Sequence, residues 1–412
     1  MDRRLGNYER YSLSRTLIGM TPALSFVASL PITPDPTTIL VAVTTLLKRH
    51  PLLSCVVSDT RTTRPRFETR AILADEVVRV ETKDRTVEEA LLFGLQEAAN
   101  INVEEGPLWK VVLLIEQGRA VPSRLVLAVN HVVSDGAGTK QLLAELLALI
   151  FHTNSSPLAG YESPTGLAPT MEVTVDVRPP WLLVLREVFN SLIAPRLPSI
   201  IRPSQLGVYP SPPLVPPHTR PTAVRLATFP STLVTSLKAV CAANAIATLH
   251  PVFHSCLLVS LIHTSSALPG SHHFTTATAI SLRDEKLHPP VTGNYVASLL
   301  SSYLSSPPSP SISLSSNLWD ITREYARRLV DPTERLWAKG TMGMMAYIPD
   351  GVHEEETGWE VFLRQQLLRE NPWTVSAGLS NLGAMKVPEG VDVAWVQAAQ
   401  GNASIEFNVS PA

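Results

Sequence analysis

Apolar residues recur along this chain in two rhythms. In "PTTILVAVTTLLKRHP", Ile39, Val43, Leu46 and Leu47 fall at helical spacing, which predicts an amphipathic helix begun near Pro36 and stopped by Pro51. "TVEEALLFGLQEAAN" repeats that rhythm. "TKQLLAELLALIFH" does so with a stripe of Leu142, Leu146, Leu149 and Ile150. The second rhythm is a short unbroken apolar run. "LLSCVVS", "LWKVVLLIEQ" and "RLVLAVNH" read as buried strands, and "GRAVPS" joins the last two as antiparallel neighbours. Helices and strands so mixed predict an α/β chain.

Both rhythms stop near Phe151. Fourteen of the 35 prolines fall between Phe151 and Thr222, and "YPSPPLVPPHTRP" suits neither a helix nor a central strand. This stretch reads as a linker over the surface, interrupted by one helix at Trp181. A second α/β half begins near Ala223. "VRLATFP" reads as a strand, and "STLVTSLKAVCAAN", "TLHPVFHSCLLVSLIHTSS" and "LWDITREYARRLVD" as helices. "HHFTTATAISLR", "WTVSAGLSNLG" and "DVAWVQAAQGNASIEFNV" read as strands, and "SSPPSPSISLSS" as a low-complexity loop. The division predicted is residues 1–156, a linker over 157–222, and residues 223–412. No repeat period points to a solenoid.

Composition narrows the function. With 412 residues the chain is long enough for two domains, and a net charge of −2 without a basic stripe argues against nucleic acid. Cys55, Cys241 and Cys256 have no metal or redox spacing, so cytoplasmic, reduced thiols are expected. "MDRRLGNYERYS" lacks the apolar core of a secretory signal. "WLLVLREVFNSLIAPRL" carries Arg186 and Glu187 near its middle, which makes a bilayer span costly. It reads as a helix packed on the protein, with a peripheral membrane contact as the alternative.

The candidate chemistry sits in "LVLAVNHVVSDGAGTKQLLAEL". A buried strand ends at His131, Asp135 follows four residues later, and Gly136 opens a helix. A histidine at a strand end is either structural or a general base, since its free pKa lies near neutrality. Asp135 has three readings: a helix cap, an indirect support of the imidazole, or the partner of a distant cation. A metal site is disfavoured, because no third ligand stands at a telling spacing. His250 and His254 share a helix face, but Pro251 stands where a zinc protease needs its glutamate, so both read as structural. His272 and His273 precede a strand and read as solvated. The absence of GxSxG argues against a serine hydrolase.

"NHVVSDGAG" resembles the HxxxDG signature of the CoA-dependent acyltransferase superfamily, which includes plant acyltransferases, nonribosomal condensation domains and fungal alcohol O-acetyltransferases. The opening "RRLGNYERYSLSRTLIG", "KRHPLLSCVV", "GPLWKVVLLIEQG", "TLHPVFHSCLLVSL" and "LSNLG" resemble elements of the alcohol acetyltransferase branch in the same order. Two departures matter. Asn130 stands where many members have a second histidine, which argues against a condensation domain. "SNLG" replaces the plant "DFGWG".

The resemblance implies two similar chloramphenicol-acetyltransferase-like domains with mixed sheets and a tunnel between them. It implies acetyl-CoA as co-substrate, a small hydrophobic alcohol as acceptor, no metal, and a monomer. His131 would be the base. Asp135 would turn away from the imidazole, behind Gly136, towards Arg283 on a strand of the second half. Ser380 and Asn381 would touch the thioester or pantetheine arm, or serve the chain crossing with Gly383. The rival is a non-catalytic or carrier-protein-dependent condensation-like module on the same fold.

Overall fold

Two mixed sheets organise the fold. A computed structural model describes residues 2–20, 22–115, 123–152, 166–197, 222–265, 272–283, 292–305, 314–353, 355–368, 374–398, 403 and 405–409. Residues 118–122 of the "GRAVPS" turn, half of the 157–222 linker including "YPSPPLVPPHTRP", and most of the serine–proline loop lie outside the described residues.

The first sheet has the strand order Asp392–Gln397, Ala23–Ser29, Arg124–Asn130, Trp109–Ile115, Val78–Thr82. Its neighbours are antiparallel except Val78–Thr82, which runs parallel to Trp109–Ile115. The histidine strand, Arg124–Asn130, lies at its centre and is buried on both faces. Leu125, Leu127 and Val129 face the helices Pro36–Arg49 and Gly136–Ile150, while Val126 and Ala128 face Val87–Ala99. Burial on both sides explains its unbroken apolar run.

The second sheet has the order Glu406–Val409, Ala377–Asn381, His272–Ser281, Val296–Ser305, with two parallel pairings and one antiparallel. Phe274, Ala377 and Leu379 pack against Leu257, Leu258 and Leu261 of the helix His250–Ser265. The helix Leu314–Val330 joins this side through Tyr325, whose hydroxyl bonds Thr278 Oγ1.

The two closing strands go to different sheets. Ala377–Asn381 stays in the second, while Asp392–Gln397 crosses to pair with Ala23–Ser29 in the first. Trp395 fastens the crossing: its ring stacks on Phe26 at 5.5 Å, and its Nε1 donates to the carbonyl of Val409 at 3.1 Å.

Three local readings differ from the structure. "VRLATFP" joins no sheet; Val224 instead packs beside the helix Val87–Ala99, and the Leu226 amide donates to Glu88 Oε1 at 2.6 Å. The start of "LLSCVVS" is a 3-10 turn, Pro51–Ser54, because Pro51 opens a turn rather than a strand. His272 and His273 lie inside their strand, and His273 is half-buried. Among the described residues, no helix is long and apolar enough to cross a membrane.

Candidate active site

His131 follows directly on the end of its strand and is almost fully buried. Its backbone amide donates to the carbonyl of Pro22 at 2.9 Å, which ties the strand end to the entry of the neighbouring strand. The imidazole Nδ1 stands 3.1 Å from Asn294 Oδ1. Asn294 Nδ2 donates to the carbonyls of His131 and Val132 at 3.0 and 2.9 Å. Those carbonyls can only accept, so the amide must present its oxygen to the ring. Nδ1 therefore carries the proton and Nε2 the lone pair. Burial is the largest influence on the ring and lowers its pKa. Asp135 and Asn294 oppose that shift, and Arg15 adds to it. The neutral, basic form is favoured.

Asp135 points elsewhere. Its Oδ1 accepts from the Gly138 amide at 2.8 Å, capping the helix Gly136–Ile150, and from Arg283 Nη2 at 3.0 Å. Its Oδ2 accepts from the Tyr295 amide at 2.7 Å. Arg283 also donates to the carbonyl of Gly293 at 2.8 Å and lies over the Tyr295 ring at 4.7 Å. The Asp135 amide donates to the same Gly293 carbonyl at 3.1 Å. Gly293 has φ +131, a conformation that L side chains rarely adopt, so the bend that delivers Asn294 and Tyr295 depends on glycine.

Gly136 and Gly138 are small because neighbouring side chains come close. A Cβ on Gly136 would stand 3.1 Å from Leu382 of the crossing segment. One on Gly138 would stand 2.6 Å from Ser134 Oγ and 2.9 Å from Arg283 Nη2. Lys140, one turn on, donates to the carbonyl of Leu382 at 2.6 Å. The motif helix is thus clamped to both the Arg283 segment and the crossing.

A strand-end imidazole with a fixed lone pair, backed by an aspartate–arginine bridge rather than a triad carboxylate, suits proton abstraction from a bound hydroxyl. The family model for alcohol acetyltransferases matches residues 68–407. The chain belongs to the alcohol acetyltransferase family.

Solved structures agree on the fold. Trichothecene 15-O-acetyltransferase from Fusarium sporotrichioides is similar with a TM-score of 0.63 and 14% identity, over 100% of this chain and 88% of that one. The condensation domain of the monacolin K polyketide synthase gives 0.58 and 11%, over 100% and 89%. Polyketide synthase associated protein 5 from Mycobacterium tuberculosis gives 0.54 and 14%, over 99% and 90%. No curated protein matches the chain by sequence.

Other residues in this family member fall outside the His131 cluster. Ser380 is buried on the strand Ala377–Asn381, and Asn381 Oδ1 accepts from the Gly383 amide at 2.9 Å, shaping the turn that starts the crossing. Among the described residues neither bonds His131. Asn130, directly before His131, is buried, and its Oδ1 accepts from the Val132 amide at 3.0 Å. His254 is buried in the second half, 2.8 Å from Thr276 Oγ1 and stacked on Tyr325 at 3.5 Å. Burial lowers its pKa to about 3 and that of His250 to about 4. Among the described residues no group of three metal-type ligands converges.

Asn294 and Tyr8 escaped the sequence reading. Tyr8 lies on the helix Asn7–Leu17, with its ring 5.6 Å from that of His131. The Gly293–Asn294 pair is the one local signal that marks a bend.

Proposed function

We propose that this alcohol acetyltransferase family member transfers an acetyl group from acetyl-CoA to a hydroxyl of a hydrophobic small molecule, of the terpenoid or secondary-metabolite kind. The observation that carries the reading is His131 within HxxxDG, its Nδ1 held by Asn294 so that Nε2 is the base. Nε2 takes the proton of the acceptor hydroxyl as its oxygen attacks the thioester carbonyl. The carbon–sulfur bond breaks, and the CoA thiolate takes the proton back from the imidazolium. Ester and free CoA leave. Both substrates are held together, so no acyl-enzyme forms.

In this reading Asp135 and Arg283 fix the loop that carries His131, and Gly136 lets the crossing segment close on it. Ser380 and Asn381 serve the thioester arm or the chain crossing. The two halves, 1–156 and 223–412, flank the tunnel, and the protein acts as a cytoplasmic monomer. The trichothecene acetyltransferase supports this reading through its fold and its named reaction; the condensation domain supports the carrier-dependent alternative through its fold alone.

One assay separates them. Thiol release is measured with acetyl-CoA and, in parallel, with an acetyl-loaded carrier protein, against a panel of hydrophobic alcohols. Release from acetyl-CoA that depends on the alcohol is expected. Turnover of the carrier thioester alone would establish the alternative.

A further inference from the structure

The polar face of the second sheet contains a carboxyl that the mechanism above does not use. Parallel pairing sets Glu406 beside Gly378 and Asn408 beside Ser380. Ala377 and Leu379 point the other way, into the helix-covered core. Gly378 and Glu406 therefore share the opposite face with Ser380. A Cβ on Gly378 would stand 2.1 Å from Glu406 Oε2, so the missing side chain is what lets the carboxyl lie there. Gln397 Nε2 donates to the same oxygen at 3.2 Å.

Gln397 belongs to the crossing strand and stands opposite Leu24, which stands opposite Val129, two residues before His131. Paired residues share a face, so Gln397 projects on the side of Val129. It lies two strand spacings away, roughly 10 Å. The Glu406 carboxyl is thus held at the seam of the two sheets, on the row that leads to His131.

The helix Asn7–Leu17 supplies a third side. Tyr8, Tyr11 and Arg15 follow one another along one face of it. Tyr8 meets the His131 ring, Tyr11 lies 6.2 Å from Tyr8, and the Arg15 guanidinium lies 5.3 Å over Tyr11. Arg15 is fully buried, and its charge acts on both His131 and Glu406.

We propose that Glu406 is a specificity-determining residue for the acceptor: its carboxyl, cradled on Gly378 and held by Gln397, takes a second hydroxyl of the acceptor while the first is presented to His131. This rests on the acetyl-transfer reading above and narrows its substrate class to hydrophobic diols and polyols. The chemistry selects a hydroxyl. Burial pushes Glu406 up to about 7, with Gln397 and Arg15 opposing, so both protonation states are within reach near neutrality. A hydroxyl donates to the carboxylate and accepts from the acid, so it pairs with either state. An ammonium group would need the carboxylate and would face Arg15. An acceptor carboxylate would sit against a like charge whenever Glu406 ionises.

The test uses the full chain, acetyl-CoA, and terpenoid diols of graded hydroxyl spacing, each paired with its deoxy monoalcohols. Thiol release gives kcat/KM. A hydrogen bond to a charged or half-charged carboxyl predicts a preference of about 10- to 100-fold for at least one diol over its monoalcohols. Glu406→Leu should collapse that preference, and Glu406→Gln should keep part of it. Gly378→Ala, which displaces the carboxyl without removing it, should collapse it as well. Equal kcat/KM for diols and monoalcohols in the native protein, or an undiminished preference in Glu406→Leu, would overturn the assignment to Glu406 alone. Absence of thiol release with every alcohol would overturn the acetyl-transfer reading and this one with it.

Discussion

Asn294 holds His131 by one edge of its ring: Oδ1 stands 3.1 Å from Nδ1, while Nδ2 of the same amide donates to the carbonyls of His131 and Val132. A neutral amide thus does the orienting that a carboxylate does in serine hydrolases, and Asp135 is left for another task.

Asn294→Ala should release the ring and leave two buried carbonyls without that donor, each at about 1–3 kcal/mol. A lower kcat, a lower melting temperature and a mixed His131 tautomer in nitrogen NMR are expected. An unchanged Nδ1–H tautomer in the variant would contradict the role given to Asn294.

The Asp135–Arg283 bridge is tested by a double-mutant cycle. Removing one member of a buried pair strands the other, at roughly 3–5 kcal/mol. Asp135→Ala and Arg283→Ala should each destabilise the protein, and the double variant should lose less than the sum. Additive losses on denaturant unfolding would show that the two residues act independently.

Gly138→Ala should disturb the same bridge from within, since its Cβ would stand 2.9 Å from Arg283 Nη2. A fall in kcat together with a lower melting temperature is expected, and native values of both would show that the loop absorbs the methyl without strain.

Stability should fall in mild acid. Burial lowers His254 to about 3 and His250 to about 4, against an ordinary value of 6.5. Between those values the unfolded chain binds more protons than the folded one, so stability is lost as pH falls below 6.5. Glu406, raised to about 7, works in the opposite sense and loses its contribution as pH rises through about 7. Melting temperature against pH in His254→Phe, which preserves a ring on Tyr325, should show a shallower acid slope. An unaltered slope would remove His254 from the account.

The sequence carried the main helices and the histidine strand, because their apolar residues pack into buried clusters on the faces of the two sheets. It missed the first helix, whose buried face includes Glu9, Arg10, Ser12, Ser14 and Arg15 and so breaks the apolar rhythm. Glu9 is accommodated by Arg3 at 2.7 Å, a partner no local pattern reveals. The strand Val296–Ser305 was missed for a similar reason: its serines interrupt both templates. His131 at a strand end allowed a structural and a catalytic reading alike, and the resemblance to HxxxDG, not spacing, singled it out as a base and set Arg283 as the partner of Asp135; the structure forms that bridge at 3.0 Å. Asn294 was not legible, because its role depends on a bend at Gly293 that brings residue 294 to residue 131.

Direct acyl transfer with His131 as base is decided by two-substrate kinetics of the native protein and of His131→Ala. With acetyl-CoA and the alcohol varied together, the native protein should give intersecting double-reciprocal lines, and the variant should lose about 10²- to 10⁴-fold in kcat. Parallel lines with an acetylated protein in the mass spectrum, or a folded His131→Ala variant of near-native kcat, would contradict the account.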